Sequence, residues 1–506
     1  MLLQETVLCA TAPTSLQQGG PGSITLHDIQ TGSSLASFKQ TSASIHCTAI
    51  VPTVDGQGGV LLATQPDKSI LNVYNFQKDQ IALKIVLPER LVCLAIDSRG
   101  LFCAGGTVQG RIYLWEIASG ILYNSWEAHY RKVTVLRFTR DGEALVSGSE
   151  DSGVSVWSLS RLIDEDAQLE VPMAYASLSD HTLPVTDIAC GVGPFPSCRI
   201  LTSSVDHSVK LWDLSTKSLL TTFQFPHAID CLTWDVTERV FFAATAEGSI
   251  HQVNLFRRRV DKHGGVLAEA VGGAGVTDII RIGDEDPKES TKRLLNVGEP
   301  ISTLTLSLTS SLLLVGTTTG VIHLYDVPSH QLLRTITSHK GSRITHLETL
   351  LKPPDLVGHV SLSLTAGVDR DAIPVRPVVA FQRMREAKAR EAHEIAMLLP
   401  VQKKPTPDTI TTYSDEEISQ DYAFFIQPSA TDTVGAASLQ SRVTELEDEV
   451  TRLRTQLSHA KGVNDVMWET VVHKMVAGQD TPVQSDVVVN GEGNDTRARK
   501  RGRTQE

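Results

Sequence analysis

The chain lacks any long hydrophobic run. Of its 506 residues, 41% are hydrophobic, but no stretch approaches the roughly 20 consecutive apolar residues that a membrane-spanning helix needs. The first residues, Met1 to Glu5, also lack the basic start of a secretory signal. We therefore expect no membrane segment and a location in the cytosol or the nucleus.

Cysteine is scarce and shows no pairing pattern. The seven cysteines have no metal-site spacing, and their odd number argues against a disulfide framework. Most of them lie inside short apolar runs, which favours a role as small buried hydrophobic side chains. We expect no disulfide, no metal and no other cofactor.

Catalytic motifs are also missing. There is no Gly-x-Ser-x-Gly elbow and no His-Glu-x-x-His pair, and the glycine-rich run 272–275 lacks the Gly-Lys-Ser/Thr ending of a phosphate loop. The net charge of -12 disfavours a surface that coats nucleic acid, so any such contact should be local. We predict that the protein is not an enzyme.

What the sequence does contain is a repeat. Each copy has an alternating, strand-length run that ends in an aromatic residue or its substitute. Successive copies are 47, 41, 42, 55, 41 and 72 residues apart. A period of this kind indicates a repeat architecture, and seven copies suit a propeller. The seven positions are His27, Tyr74, Trp115, Trp157, Trp212, Val253 and Tyr325.

These repeats, over roughly residues 1–350, resemble the WD40 family. The resemblance implies an all-β, seven-bladed β-propeller with four strands per blade and a buried hydrogen-bond network of His, Ser or Thr, Asp and Trp. Blades one, two and six replace Trp, so incomplete networks are expected there. The residues that match the network are His129, Ser147, Asp151 and Trp157 in blade four and His181, Thr202, Asp206 and Trp212 in blade five.

A catalytic or metal-binding pair formed by His129 and Asp151 is the alternative to this structural role. The same spacing recurs in the next blade at His181 and Asp206. Structural repetition predicts such a recurrence, whereas a unique active site does not.

The array begins part-way through a blade. Residues 6–12 read as a second strand, directly before a third strand at 22–28. A strand near 343–350 is expected to supply the missing first strand, because an open ring would expose unpaired strand edges. Residues 160–178 and 257–299 lengthen two of the intervals and are expected to form surface loops.

Several segments follow the propeller. We predict an extended segment packed on the propeller at 351–379 and a helix at 380–399, which is rich in Ala, Glu, Arg and Met without Pro or Gly. A disordered linker should cover 400–438, where Ser414 lies in an acidic context that suits phosphorylation. Apolar residues inside this linker favour a docking motif for this propeller or for a partner: Tyr422, Phe424, Phe425 and Ile426.

Residues 439–476 predict a coiled coil. The apolar positions repeat at spacings of 4, 3, 4, 3 and 4, and β-branched a residues with Leu at d favour a parallel dimer. In that pairing the charges at 442 and 447, and at 449 and 454, are opposite in sign. We expect a homodimer; the alternative is an amphipathic helix lying on its own propeller. The seam is Leu439, Val443, Leu446, Val450, Leu453 and Leu457.

The predicted disordered tail, 477–506, carries a basic cluster. It reads as a nuclear-localisation or RNA-touching segment, and a merely solubilising tail is the alternative. The cluster consists of Arg497, Arg499, Lys500, Arg501 and Arg503.

The order of these parts resembles a narrower group, the Ipi-three family. The resemblance is carried by runs such as Ile24–Asp28, Gly110–Glu116, Trp126–Val133, Ser204–Trp212 and Arg343–Leu347, together with the C-terminal heptads. This family is the WD-repeat subunit of the fungal Rix-one complex and is related to animal WD-repeat protein eighteen.

The resemblance implies a nuclear, non-enzymatic scaffold that joins the other Rix-one subunits on pre-ribosomal large-subunit particles. It further implies that the scaffold supports processing of the second internal transcribed spacer and remodelling of the particle by an AAA-type ATPase. A link to DNA replication licensing is also implied. Two alternatives stay open. One is an adaptor of another complex, either a ubiquitin-ligase substrate receptor or a trafficking adaptor; the other is a direct RNA-binding propeller.

Overall fold

The structure is a computed structural model of the 506-residue chain. It describes residues 4–13, 22–41, 43–52, 59–65, 67–76, 80–164, 171–260, 266–272, 278–283, 294–353, 356, 378–385 and 433–477. The chain divides into two compact units, Met1–Val401 and Gln402–Glu506.

Seven sheets, each built on four antiparallel strands, form the blades of a propeller in the first unit, which confirms the predicted fold class. Blade 1 contains β1 (Glu5–Pro13), β2 (Gly22–Asp28) and β3 (Ser34–Thr41). Blade 2 contains β4 (Thr48–Pro52), β5 (Gly59–Gln65), β6 (Ile70–Asn75) and β7 (Ile81–Val86). Blade 3 contains β8 (Leu91–Ile96), β9 (Phe102–Thr107), β10 (Arg111–Glu116) and β11 (Leu122–Glu127).

The remaining blades follow in chain order. Blade 4 contains β12 (Val133–Phe138), β13 (Ala144–Ser149), β14 (Val154–Ser158) and β15 (Ala176–Leu178). Blade 5 contains β16 (Val185–Cys190), β17 (Arg199–Ser204), β18 (Ser208–Asp213) and β19 (Ser218–Gln224). Blade 6 contains β20 (Ile229–Trp234), β21 (Val240–Thr245), β22 (Ser249–Asn254) and β26 (Leu294–Asn296). Blade 7 contains β27 (Ile301–Leu306), β28 (Leu312–Thr317), β29 (Ile322–Asp326) and β30 (Leu332–Ile336).

The two ends of the repeat array meet in blade 1. Strand β31 (Ser342–Leu351) pairs antiparallel with β1, from Glu5 opposite Leu351 to Pro13 opposite Ser342, with a bulge after Ala10. The strand expected near 343–350 is therefore present and lies in the first-strand position. Because β31 completes the sheet, neither end of the ring leaves an open inner edge.

The hydrophobic core lies between neighbouring blades. Leu114 and Trp126 of blade 3, for example, pack in one cluster with Val133, Leu145 and Trp157 of blade 4. Fully burying such a side chain contributes about 1.5–3 kcal/mol. Each blade therefore depends on both of its neighbours, and the ring stabilises itself only when all seven are in place.

Both insertions fall between the third and fourth strands of a blade. In blade 4 this stretch holds the short helix α1 (Leu159–Ile163) before β15. In blade 6 it holds a ribbon of β23 (Phe256–Val260) and β24 (Val266–Ala270), and then β25 (Ile279–Arg281), which pairs in parallel with β19. The expectation of loops throughout was wrong for these elements, because strands of three to five residues carry too little periodicity to be recognised.

The segment after the propeller departs from the predicted helix at 380–399. Residues 380–385 are not helical, so the prediction was wrong there; 386–399 lie outside the described residues. The buried side chain of Phe381 and backbone bonds to blade 3 hold this stretch against the sheet instead. Of the expected extended segment 351–379, the described Leu356 and Val378 pack against propeller clusters.

The second unit contains one long helix, α2 (Thr433–Ala477), of 45 residues. It begins before the predicted start at 439, so residues 433–438 are helical rather than part of a disordered linker. The stretch has no proline, and Ala436 and Ala437 favour helix. None of the helices in the described ranges is long and apolar enough to cross a membrane.

Candidate functional site

The four matching residues of blade 4 meet in one buried network. His129 follows β11, and its Nε2 lies 2.8 Å from Ser147 Oγ, while its Nδ1 lies 3.2 Å from Asp151 Oδ2. The Trp157 indole donates to the same Ser147 hydroxyl at 3.0 Å. Asp151 also accepts the backbone N–H of Tyr130 at 3.0 Å. The network thus ties the link between blades to the second and third strands of blade 4.

Blade 5 repeats this arrangement. His181 lies 2.9 Å from Asp206 and 2.8 Å from Thr202, and the Trp212 indole donates to Thr202 at 2.9 Å. The backbone N–H of Thr182 donates to Asp206 at 3.1 Å. The same donors and acceptors at nearly the same distances in two blades indicate one shared bracing device.

The electrostatics agree with bracing. Burial raises the pKa of Asp151, but hydrogen bonds from His129 and from the Gly153 backbone outweigh it and bring the pKa to about 2. The same balance, with Ser208 as a further donor, lowers the pKa of Asp206. Both carboxylates are therefore held ionised by groups that fold around them.

A catalytic reading of these pairs lacks access for a substrate. The side chains of His129 and His181 are only 2% and 0% exposed. Ser147 and Thr202 are fully buried as well. A nucleophile or base must reach the reacting atom within hydrogen-bond distance, which these positions prevent.

Blade 1 contains a different polar pair. His27, which occupies the Trp position, lies 2.8 Å from His339 through their Nε2 atoms, and Thr25 Oγ1 contacts both rings at 3.1 and 3.0 Å. Burial, together with the repulsion that a protonated His27 ring would exert, lowers the pKa of His339 to about 4. Both rings are therefore neutral at neutral pH, and blade 1 is linked across the ring closure by a proton-sensitive contact.

Blade 3 lacks the network, and the C-terminal segment replaces it. The places of His, Ser and Asp are taken by Leu87, Gly105 and Gln109. The Trp115 indole instead donates to the carbonyl of Gln382 at 3.0 Å. Phe381, only 4% exposed, stacks on Trp115 with ring centroids 5.3 Å apart.

The first strands surround a central cavity of about 870 Å³. Hydroxyl groups at its wall bind some blades to the next: Thr134 of blade 4 donates to Val185 O at 2.7 Å, and Thr186 of blade 5 donates to Ile229 O at 2.6 Å. Ser302 makes the same contact from blade 7 to β31 at 2.6 Å. Side chains at the cavity wall therefore help to hold the blades together.

The guanidinium group of Arg137 contacts two other residues at the wall of this cavity. Arg137 of blade 4 lies 3.4 Å from Asp187 of blade 5 and 3.3 Å from His46, which precedes β4. Asp187 also accepts the backbone N–H of Leu232 in blade 6 at 3.0 Å. Burial lowers the pKa of His46 to about 4 against the attraction of Asp187. The trio links the segment before blade 2 with the neighbouring blades 4 and 5.

The seven cysteines are free thiols, and six are buried. Burial raises the pKa of Cys190 to about 12 and that of Cys198 to about 11. These thiols are therefore protonated and unreactive at neutral pH. Within the part of the chain that the structure describes, no three His, Cys, Asp or Glu residues are grouped so as to hold a metal ion.

The predicted seam residues lie along α2 with their apolar side chains uncovered. Val443, Leu446, Val450, Leu453 and Leu457 are 47–72% exposed in the single chain. Leu439 lies on the same helix. The predicted docking motif at 422–426 and the basic cluster at 497–503 lie outside the described residues.

Comparison with known proteins agrees with this architecture. The family described as WD domain, G-beta repeat matches residues 120–158 and 174–213, which include both complete networks. The pre-rRNA-processing protein IPI3 of Mycosarcoma maydis is 32% identical across 92% of this chain and 96% of its own length. The chain belongs to the IPI3 family.

Other members of the IPI3 family and its animal counterparts are similar over less of the chain. The pre-rRNA-processing protein crb3/ipi3 of Schizosaccharomyces pombe is 31% identical over 64% of this chain and 73% of its own length. The human WD repeat-containing protein 18 is 29% identical over 84% of this chain and 90% of its own length. The resemblance inferred from the motifs is therefore confirmed.

Two features of this IPI3 family chain escaped sequence reasoning. The trio His46, Arg137 and Asp187 does not recur from blade to blade, so the repeat gave no signal for it. The contact of Phe381 with Trp115 was also missed. Its one available signal was the glycine at 105, where the complete blades carry Ser or Thr.

The blade 4 network generates a stability prediction. Asp151→Ala leaves a buried imidazole and backbone N–H without their acceptor, which should lower the free energy of unfolding by about 1–3 kcal/mol. Glu143→Ala, which removes the partner of the exposed Arg99 in a surface ion pair, should cost less than about 1 kcal/mol. Urea unfolding followed by circular dichroism measures both. Equal effects of the two substitutions would argue against a bracing role.

The histidine pair of blade 1 generates a pH prediction. His339 has a pKa of about 4 in the fold against about 6.5 unfolded, so the unfolded chain binds more protons in that window. Stability should therefore fall as pH drops from about 6.5 to 4. His339→Gln should make this fall less steep, whereas His227→Gln, at an exposed position, should not. An unchanged pH profile of the free energy of unfolding in His339→Gln would contradict the assignment.

Proposed function

We propose that this chain is a non-enzymatic scaffold subunit of a nuclear complex that acts in large-ribosomal-subunit biogenesis. The observation that carries the proposal is the similarity to pre-rRNA-processing protein IPI3, which runs through the propeller and the C-terminal region alike. The propeller supports a scaffold role because the histidine and aspartate side chains of its two complete networks, and hydroxyl groups at the cavity wall, make bonds within the ring. Its outer surfaces are what it offers to partners.

The finer assignments of this proposal follow from the family resemblance and, for the two C-terminal motifs, from their residues. The chain joins the other subunits of the Rix-one complex on the pre-ribosomal large-subunit particle. The AAA-type ATPase that remodels this particle is a further partner. The step served is processing of the second internal transcribed spacer, with a further link to DNA replication licensing. The basic cluster at 497–503 directs the chain to the nucleus, and the apolar motif at 422–426 docks on a partner or on this propeller.

Self-association through α2 is part of the same proposal. The exposed seam residues lie at heptad spacing along the helix, and each would contribute about 1.5–3 kcal/mol if fully buried. A parallel pairing would also set Arg442 against Glu447 and Glu449 against Arg454 of the second copy. Exposing an apolar seam of this length to water is unfavourable. We therefore assign a second α2 as the occupant of the seam.

Affinity purification of the tagged full chain tests the function. We expect recovery of pre-ribosomal large-subunit proteins, helical-repeat partner subunits and precursor RNA that still contains the second internal transcribed spacer. Recovery of cullin or vesicle-coat subunits without ribosomal proteins would instead support an adaptor of another complex. Precursor RNA recovered without any partner subunit would support a direct RNA-binding propeller.

Light scattering of the purified chain tests the dimer. At micromolar concentration the wild type should have twice the 55.0 kDa mass of one chain, and Leu446→Asp with Val450→Asp should have the mass of one. The matched control, Thr451→Asp with Thr455→Asp, changes exposed positions outside the seam and should stay dimeric. A monomeric wild type, or loss of the dimer in the control as well, would count against the coil.

A further inference from the structure

The strap, defined as residues 378–385, lies in a cleft on blade 3. Its backbone pairs with the turn between β10 and β11: the Val379 N–H donates to Ile117 O at 3.3 Å, and the Gln382 N–H donates to Gly120 O at 2.8 Å. The Trp115 indole donates to Gln382 O. The cleft therefore binds an extended segment mainly through its backbone.

Blade 3 differs from blades 4 and 5 in the hydrogen-bond acceptor of its tryptophan. In blades 4 and 5 the Trp157 and Trp212 indoles are satisfied by a Ser or Thr within the same blade. In blade 3 the corresponding position is Gly105, where an added Cβ would lie 2.4 Å from the Leu91 side chain. A serine there would require the buried Leu91 side chain to move. Glycine supplies no hydroxyl, so the Trp115 indole takes its acceptor from the strap instead.

The floor of the cleft also requires a residue without a side chain. Gly120 has φ +73°, and a Cβ at this position would lie 2.3 Å from the carbonyl oxygen of Ala380. Glycine allows both this left-handed conformation and the close approach of the strap backbone. The turn of blade 3 is thereby shaped around a second backbone.

One side chain anchors the strap. Phe381 is 4% exposed and stacks on Trp115 at an interplanar angle of 15°, and Tyr113 stacks on Trp115 at 12°. The cleft thus offers an aromatic pocket, an indole donor and a backbone acceptor within one short stretch. This combination suits a short extended peptide with one aromatic anchor.

We propose that the blade 3 cleft is a peptide-binding site for an extended segment with an aromatic anchor, occupied by residues 378–385 of the same chain. The site is independent of the proposed ribosomal function. Occupation fixes the start of the C-terminal region on blade 3, 48 positions before α2 begins at Thr433. A segment of the same chemistry competes with the strap for the cleft.

The test uses the full chain and a fluorescent peptide of residues 378–385. The Phe381→Ala chain should bind the peptide at least about tenfold more tightly than the wild type, whose own strap competes at a high effective concentration. The same peptide with alanine at the anchor should lose binding at least about tenfold. Adding Gly120→Ala to the Phe381→Ala chain should abolish binding, because the Cβ fills the floor of the cleft.

Circular dichroism checks that each variant is folded. If Phe381→Ala does not fold, Gln382→Pro replaces it, because proline removes the N–H donated to Gly120 and leaves Phe381 in the chain. Equal binding to wild type and strap variant, equal binding of both peptides, or no binding to a folded strap variant would each overturn the proposal. A strap supplied by a second copy would keep the Leu446→Asp, Val450→Asp chain dimeric until Phe381 is also changed, which would overturn the assignment to the same chain.

Discussion

The pairing of β31 with β1 is the interaction on which the rest of the structure depends. It joins residues about 340 positions apart in the sequence, such as Leu8 and Glu348, into one sheet. Each interface between blades buries apolar side chains that no single blade can cover, so an unclosed ring would expose two such faces and two strand edges. The hydroxyl bond from Ser302 to Ile344 O and the contact of His27 with His339 both exist only because this strand is in place.

Ring closure also accounts for how the chain uses its ionisable and hydroxyl side chains. Side chains that serve as acids, bases or nucleophiles in enzymes are used here to connect strands and blades, as His129 with Asp151 and Arg137 with Asp187 show. Burial raises the pKa of Asp151, but its hydrogen bonds lower it to about 2, and burial lowers the pKa of His46 to about 4, so Asp151 is ionised and His46 is neutral around neutral pH. A ring braced in this way is a fixed platform. The surfaces that remain exposed are the outer face of the ring and, in the second unit, the seam of α2, whereas the strap occupies the blade 3 cleft.

Repetition determined what could be predicted from the sequence. The seven third strands and the two complete networks recur at similar spacing, so each copy supports the assignment of the others. The closing strand followed from a simple count, since one blade lacked a first strand. Strands β15 and β26 were missed because three residues carry no usable period and each follows a long insertion. Composition placed a helix at 380–399, but it cannot reveal that Phe381 has a pocket at Trp115, which lies 266 positions earlier.

Native-state hydrogen exchange of the full chain tests the central claim, that the ring is one cooperative unit closed by β31. In such a unit the amides of β1 and β31 should exchange with the same opening free energy as those of β12 and β13 in blade 4, and Ile344→Ala should lower all of them together by about 2–5 kcal/mol. Exchange of β31 through a separate, lower-energy opening, with blade 4 unaffected by Ile344→Ala, would contradict the claim.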